Sequence, residues 1–135
     1  MFKTVLFPID QTRESRHAAE IVVSLLNSYE GKLIILSVVE PPDSESSQDP
    51  EMSSPEAIAK LLDTAKTLFN DQGIDAETME KQGNPAFVIC DVADELDVDL
   101  IVMGSRGSDL TNVDSAEGVS NRVINLSPCP VLVVP

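Results

Sequence analysis

Four short aliphatic runs that do not alternate with polar residues limit what this chain can fold into. They are Thr4-Val5-Leu6-Phe7-Pro8-Ile9, Leu33-Ile34-Ile35-Leu36-Ser37-Val38-Val39, Leu100-Ile101-Val102-Met103 and Val131-Leu132-Val133-Val134. A strand with one wet face alternates, so a strand without alternation is covered on both faces. Pro8 belongs at the end of its strand, where a ladder donor is dispensable. Amphipathic stretches separate the runs. Ala18, Val22, Leu25, Leu26 and Tyr29 mark one face of a helix over about residues 13 to 29, with Gly31 as its cap. Ser54-Pro55-Glu56 opens a second helix carrying Ile58, Leu61, Leu62, Ala65, Leu68 and Phe69, closed by Gly73. Residues 76–81 are polar and alternating, as in an edge strand. Asn84-Pro85 opens a third helix with Ala86, Ile89, Cys90, Ala93 and Leu96 on one face, and a fourth spans about residues 117 to 126.

The order is therefore β-α-β-α-β-α-β-α-β over residues 1–135, read as one domain. Such alternation implies the α/β class: a doubly wound, five-stranded parallel sheet with helices on both faces. Its switch point falls beside the first strand, and ligands of such sheets bind at the carboxyl ends of the strands flanking it. Those ends are Pro8 to Asp10, Val38-Val39 and residues 103–120.

The formal net charge of −14, from 23 acidic and 9 basic residues, argues against nucleic acid and anionic membranes as partners. Aromatics are 4% of the chain and Trp is absent, which leaves little surface for stacking bases. The first residues do not read as a signal peptide and no apolar run reaches membrane length, so a cytoplasmic protein is expected. Cys90 and Cys129 have no CxxC partner and sit among apolar residues, as buried thiols do. His17, the one histidine, reads as a partly exposed helix residue rather than a catalytic base. Residues 40–54 are polar and acidic and lack the spacing of a calcium loop.

The stretch that invites chemistry is Met103-Gly104-Ser105-Arg106-Gly107, followed at some distance by Gly118-Val119-Ser120. Glycines let backbone N–H groups close on an anion, and a helix start adds unpaired N–H groups and a favourable dipole. On spacing alone, a phosphate site and a plain strand-to-helix turn are both open. No Gly-Lys-Ser/Thr or GxGxxG occurs.

Across nearly its whole length the chain resembles universal stress proteins of the UspA type. The resemblance rests on Lys3-Thr4-Val5-Leu6-Phe7-Pro8-Ile9-Asp10, Val38-Val39-Glu40-Pro41, Asp99-Leu100-Ile101-Val102-Met103-Gly104-Ser105-Arg106-Gly107, Val119-Ser120-Asn121-Arg122-Val123 and Ser127-Pro128-Cys129-Pro130-Val131-Leu132-Val133-Val134. It implies a flavodoxin-like, adenine-nucleotide-alpha-hydrolase-like fold that binds ATP or AMP, with Mg²⁺ as a possible companion. By that resemblance Asp10 contacts ribose or adenine, a role that leaves room for simple helix capping. Pro8, Ile9 and Val39 line the base, with the Val39 backbone reading it. Met103 and Gly104 lie under the ribose and first phosphate. On apolar burial alone, Val39 and Met103 read first as plain core. Gly104, Ser105, Gly107, Gly118, Val119 and Ser120 complete the phosphate end.

ATP-binding members carry G-x2-G-x9-G-[S/T]. In this chain Glu117 and Gly118 stand where Gly and Ser/Thr are expected. Asp109 and Asp114 add two more carboxylates, against Arg106 alone. A like charge within about 4 Å costs on the order of 1–4 kcal/mol, whereas a bound Mg²⁺ would turn those carboxylates into ligands. The resemblance further implies a stress-response protein rather than an enzyme, with at most very slow ATP hydrolysis. It implies a homodimer formed through the last strand, Val131 to Val134, acting on a protein partner. The alternative is a dimeric interaction module of the same family that binds no nucleotide.

Overall fold

Alternate residues of the central strands enter two separate cores, which is why those strands carry no polar face. The computed structural model describes residues 3–9, 13–27, 31–39, 55–104 and 119–135. Within them run β1 (Thr4–Pro8), α1 (Arg13–Leu26), β2 (Lys32–Val39), α2 (Pro55–Asp71), β3 (Asp75–Gln82), α3 (Pro85–Glu95), β4 (Leu100–Gly104), α4 (Val119–Leu126) and β5 (Val131–Val134). The strands form one sheet in the order β3-β2-β1-β4-β5, parallel throughout. Val5, Phe7, Leu33, Ile35, Leu100 and Val102 pack against α1 and α2, through Ala18, Val22, Leu26, Ile58, Leu62 and Phe69. Leu6, Ile34, Leu36, Ile101 and Met103 pack against α3 and α4, through Ala86, Ile89, Val92, Ala93 and Val123. The α/β doubly wound class expected from the sequence is the one observed.

Edge positions explain the two weaker strands. In β3 only Ala76 is buried and Met79 half-buried, so its polar residues face water as the sequence suggests. β5 closes the opposite edge, with Val134 buried and Leu132 exposed. The register of the centre is pinned at its lower end by Asp99. Its carboxylate Oδ2 accepts the N–H groups of Lys3 and Thr4, both at 2.9 Å, while its own N–H donates to the Thr4 carbonyl at 2.8 Å. One side chain thus ties the start of β4 to the start of β1.

Helix ends follow local chemistry. Asn84 caps α3: its side chain accepts the Phe87 N–H, and Pro85 takes the first helical position, where no donor is needed. α2 ends with Gly73 at φ +81°; the Ile74 N–H reaches the Phe69 carbonyl and the Gly73 N–H the Asn70 carbonyl, both at 3.0 Å. This is the paired closing bond set of a Schellman cap, completed by the buried Phe69 and Ile74. α3 ends the same way with Asp97 in the glycine position, at φ +51°, and the Val98 N–H on the Ala93 carbonyl at 2.9 Å. A side chain is disfavoured there, so Asp97→Gly is expected to raise stability by about 0.5–1 kcal/mol. A higher urea midpoint at unchanged slope is the result to look for; no rise would mean that the aspartate meets no penalty.

Three sequence expectations need correction. α1 stops at Leu26, with the Asn27 N–H bonded back to Val23 at 2.9 Å, so Gly31 does not follow directly on the helix. Tyr29 and Ser54 lie outside the described residues. Leu68 and Leu96, expected on buried faces, are 51% and 39% exposed, and Val92 takes the inward place on α3. The two cysteines are half-buried rather than buried.

Candidate functional site

At the carboxyl end of β1, where an open α/β sheet places its crevice, the ladder to β4 loses a donor. In a parallel strand each residue points both peptide groups to one side, and the next residue points to the other. The Thr4 carbonyl accepts from Asp99 and the Ile9 N–H donates to Leu36 at 2.8 Å. Even-numbered residues of β1 therefore face β4, and odd ones face β2. Pro8 faces β4 and has no N–H to give. The β1–β4 pairing accordingly runs only over Val5–Leu100 and Leu6–Ile101.

The same counting identifies the peptide groups that border this opening. The Ile101 N–H donates to Pro130 at 3.0 Å, on the β5 side, so Gly104 turns its peptide groups toward β1. On the other flank the Gly83 N–H donates to the Val39 carbonyl at 2.9 Å. Val39 therefore faces β3, and Val38 faces β1, beyond Pro8↔Leu36, the last β1–β2 pair. The sequence places both Val38 and Val39 at this strand end but gives the base-reading backbone to Val39, whose carbonyl is instead taken by Gly83. The run Val38-Val39 shows two equivalent valines, and only the register to β1 and β3 separates them. Gly83 holds its place through φ +145°, and a Cβ on it would lie 2.9 Å from Val88 Cγ2. That backbone is open to glycine alone.

The residues singled out in sequence distribute as follows. Pro8 and Ile9 are half-buried at the end of β1, and Ile9 and Val39 pack on the α1/α2 side. Met103 is 6% exposed and packs on the opposite side, in the α3/α4 core; its side chain serves the core. Gly104 is the half-buried last residue of β4. Val119 and Ser120 are the first two residues of α4. A helix between parallel strands runs against them, so the α4 N-terminus, with its positive dipole end, lies at the carboxyl end of the sheet. Asp10, Ser105, Gly107 and Gly118 lie outside the described residues. His17 is exposed, and its Nδ1 is 3.2 Å from the Pro135 carbonyl, joining α1 to the end of β5. Among the described residues no three His, Cys, Asp or Glu side chains are grouped to hold a metal, and no helix is long and apolar enough to cross a membrane.

Comparison with known proteins gives the same picture over the full length. The model of the universal stress protein family matches residues 1–135. The universal stress protein Sll1654 of Synechocystis sp. is 55% identical over 136 residues, covering 100% of this chain and 87% of its own length. The solved structure of the hypothetical protein MJ0577 superposes with a TM-score of 0.82 at 26% identity, over 99% of this chain and 96% of that one. A universal stress protein solved in complex with cAMP superposes with a TM-score of 0.77 at 24% identity, over 98% and 96%.

Proposed function

This chain belongs to the universal stress protein family, and from that premise we propose that it binds an adenine nucleotide in the crevice beyond β1. The carrying observation is the convergence of Val38 and Gly104 peptide groups on the end of β1, where Pro8 interrupts the ladder. The paired N–H and C=O of Val38 suit the Watson–Crick edge of adenine, which offers one acceptor beside one amino donor. Guanine presents the reverse order at those positions and leaves both strand groups unmatched. Pro8, Ile9 and Asp10 line the nucleoside. Gly104, Ser105, Gly107, Gly118 and the first turn of α4, with Val119 and Ser120, receive the phosphates. The structure of a fold relative with cAMP is consistent with a nucleotide in this crevice.

The same reading makes the protein a binding module rather than a catalyst, with at most slow ATP hydrolysis. Bound and empty states would be passed to a protein partner by a homodimer paired along Val131–Val134, in the cytoplasm. Among the described residues β5 is an edge strand paired on one side only, and an apolar edge offers such pairing. Asp109, Asp114 and Glu117 bear on which nucleotide is held. They oppose a triphosphate unless Mg²⁺ lies between.

Calorimetric titration of nucleotide-free protein with AMP, ATP and GMP, with and without Mg²⁺, tests this. AMP is expected to bind at least about tenfold more tightly than GMP, because two unmatched groups cost at least about 1.4 kcal/mol. ATP is expected to gain affinity on addition of Mg²⁺, and AMP little. Silence with every adenine nucleotide would overturn the reading. The departure of Glu117 and Gly118 from the family's ATP pattern would then favour the interaction module that binds no nucleotide.

A further inference from the structure

Two thiols that the crevice does not use lie around the C-terminal end of α4. Cys90 lies on α3 beside Ile89, and Cys129 in the Ser127–Pro130 turn between α4 and β5. Both are free, half-buried and packed against the α3/α4-side core. The Cys90 thiol is directed at the Val123 carbonyl, with Sγ at 4.0 Å, and the same carbonyl accepts the Ser127 N–H at 2.8 Å. The Ser127 hydroxyl donates to the Cys129 carbonyl at 2.7 Å, accepts the Cys129 N–H at 3.1 Å and lies 3.7 Å from Cys129 Sγ. Both sulfurs thus gather at the C-terminal end of α4. The hydrogen-bonded pair Val123 and Ser127 touches both of them. The Cys90 thiol is pushed up by burial first, then by the Asp91 carboxylate and by Cys129.

We propose that Cys90 and Cys129 form a thiol pair that a peroxide oxidises to an intramolecular disulfide, clasping α3 to the turn that leads into β5. Cys129 acts first: its sulfur attacks a peroxide oxygen, the O–O bond breaks, and the thiol's own proton goes to the departing hydroxide, leaving a sulfenic acid and one water. Cys90, whose thiol burial pushes up, acts second. Its sulfur displaces hydroxide from the sulfenyl sulfur, and its proton leaves with that hydroxide as a second water. Two thiols lose two electrons, and one hydrogen peroxide takes them. Half-burial serves this chemistry, since the oxidant reaches the sulfurs while the core holds them together. The turn between the two elements lets Cys129 follow Cys90 without unwinding either helix. The disulfide closes the segment containing β4 and α4, so it restrains the unfolded chain and raises the thermal midpoint. A dithiol reductant reverses the change.

The test is treatment of the purified, fully reduced protein with hydrogen peroxide, followed by iodoacetamide, intact mass and peptide mapping without reduction. Both alkylation sites are expected to disappear together, with the mass lower by two hydrogen atoms. A cross-linked peptide pair holding Cys90 and Cys129 should appear, on a chain that stays single in a non-reducing gel. In Cys129→Ser, Cys90 should remain alkylatable after the same exposure. In Cys90→Ser, Cys129 should stop at a sulfenic acid that dimedone traps. Loss of the two thiols independently of each other overturns the proposal. So does sulfinic acid or an interchain link in place of the internal one, or two thiols that stay unreacted.

Discussion

Phe69→Ala is expected to lower the free energy of unfolding by about 3–5 kcal/mol, the cost of a large cavity in a closed core. Phe69 is 1% exposed, and its ring meets that of Phe7, also 1% exposed, edge to face at 6.1 Å between centroids. An edge-to-face pair adds about 0.5–1.5 kcal/mol beyond the area it buries. The same residue closes α2, since its carbonyl takes the Ile74 N–H and its ring shares the core with the buried Ile74. Truncation therefore removes packing between α2 and β1 and weakens the cap that turns the chain into β3. A domain of this size holds about 5–15 kcal/mol in all, so about a fifth or more of it is at stake. Urea unfolding at constant slope gives the number. Leu68→Ala, one residue away on a side chain 51% exposed, is expected to change it by less than about 0.5 kcal/mol. Equal losses at the two positions would mean that the ring pair is not a keystone of this core.

That contrast marks how far the sequence can be read. The aliphatic runs of β1, β2 and β4 state their own burial, because a strand with a wet face would not put Leu33 to Leu36 in a row. The alternation of elements then leaves little choice of topology, and the observed order β3-β2-β1-β4-β5 follows. Periodicity assigns a stripe to a helix without fixing its width. Leu68 and Phe69 both fit the stripe of α2, and the sheet accepts the larger ring. Leu96 fits that of α3, but the left-handed turn at Asp97 ends the helix beside it and leaves it in solvent. Register is harder still. Val38 and Val39 differ only in which neighbour their peptide groups face, a property of β1 and β3 that no local pattern encodes. The place of Cys90 beside the Val123 carbonyl belongs to the same class, being created by the packing of α3 on α4.

Gly104→Val is expected to lower affinity for an adenine nucleotide by about 100-fold or more, close to 2.7 kcal/mol, in a protein that still folds. Leu100 and Val102 of β4 enter the α1/α2 core, while Ile101 and Met103 enter the other. A side chain at position 104 falls with the first set. Ile9 and Val39 flank that side, so two new methyl groups would stand at the end of β1, in the space proposed for the nucleoside. Stability is expected to change little, because Gly104 ends its strand half-buried and a β-branched residue suits an extended backbone. Met103→Leu, one residue earlier but on the α3/α4 side, conserves volume in a closed core and is expected to hold affinity within about twofold, well inside the tenfold that 1.4 kcal/mol represents. Calorimetric titration of the two variants beside the parent separates the possibilities. A selective loss at position 104 places the nucleoside on the β1–β4 side of the crevice. Equal binding by Gly104→Val and the parent would put the nucleotide elsewhere on the chain. Equal losses in both variants would trace the effect to the sheet as a whole rather than to contact with the ligand.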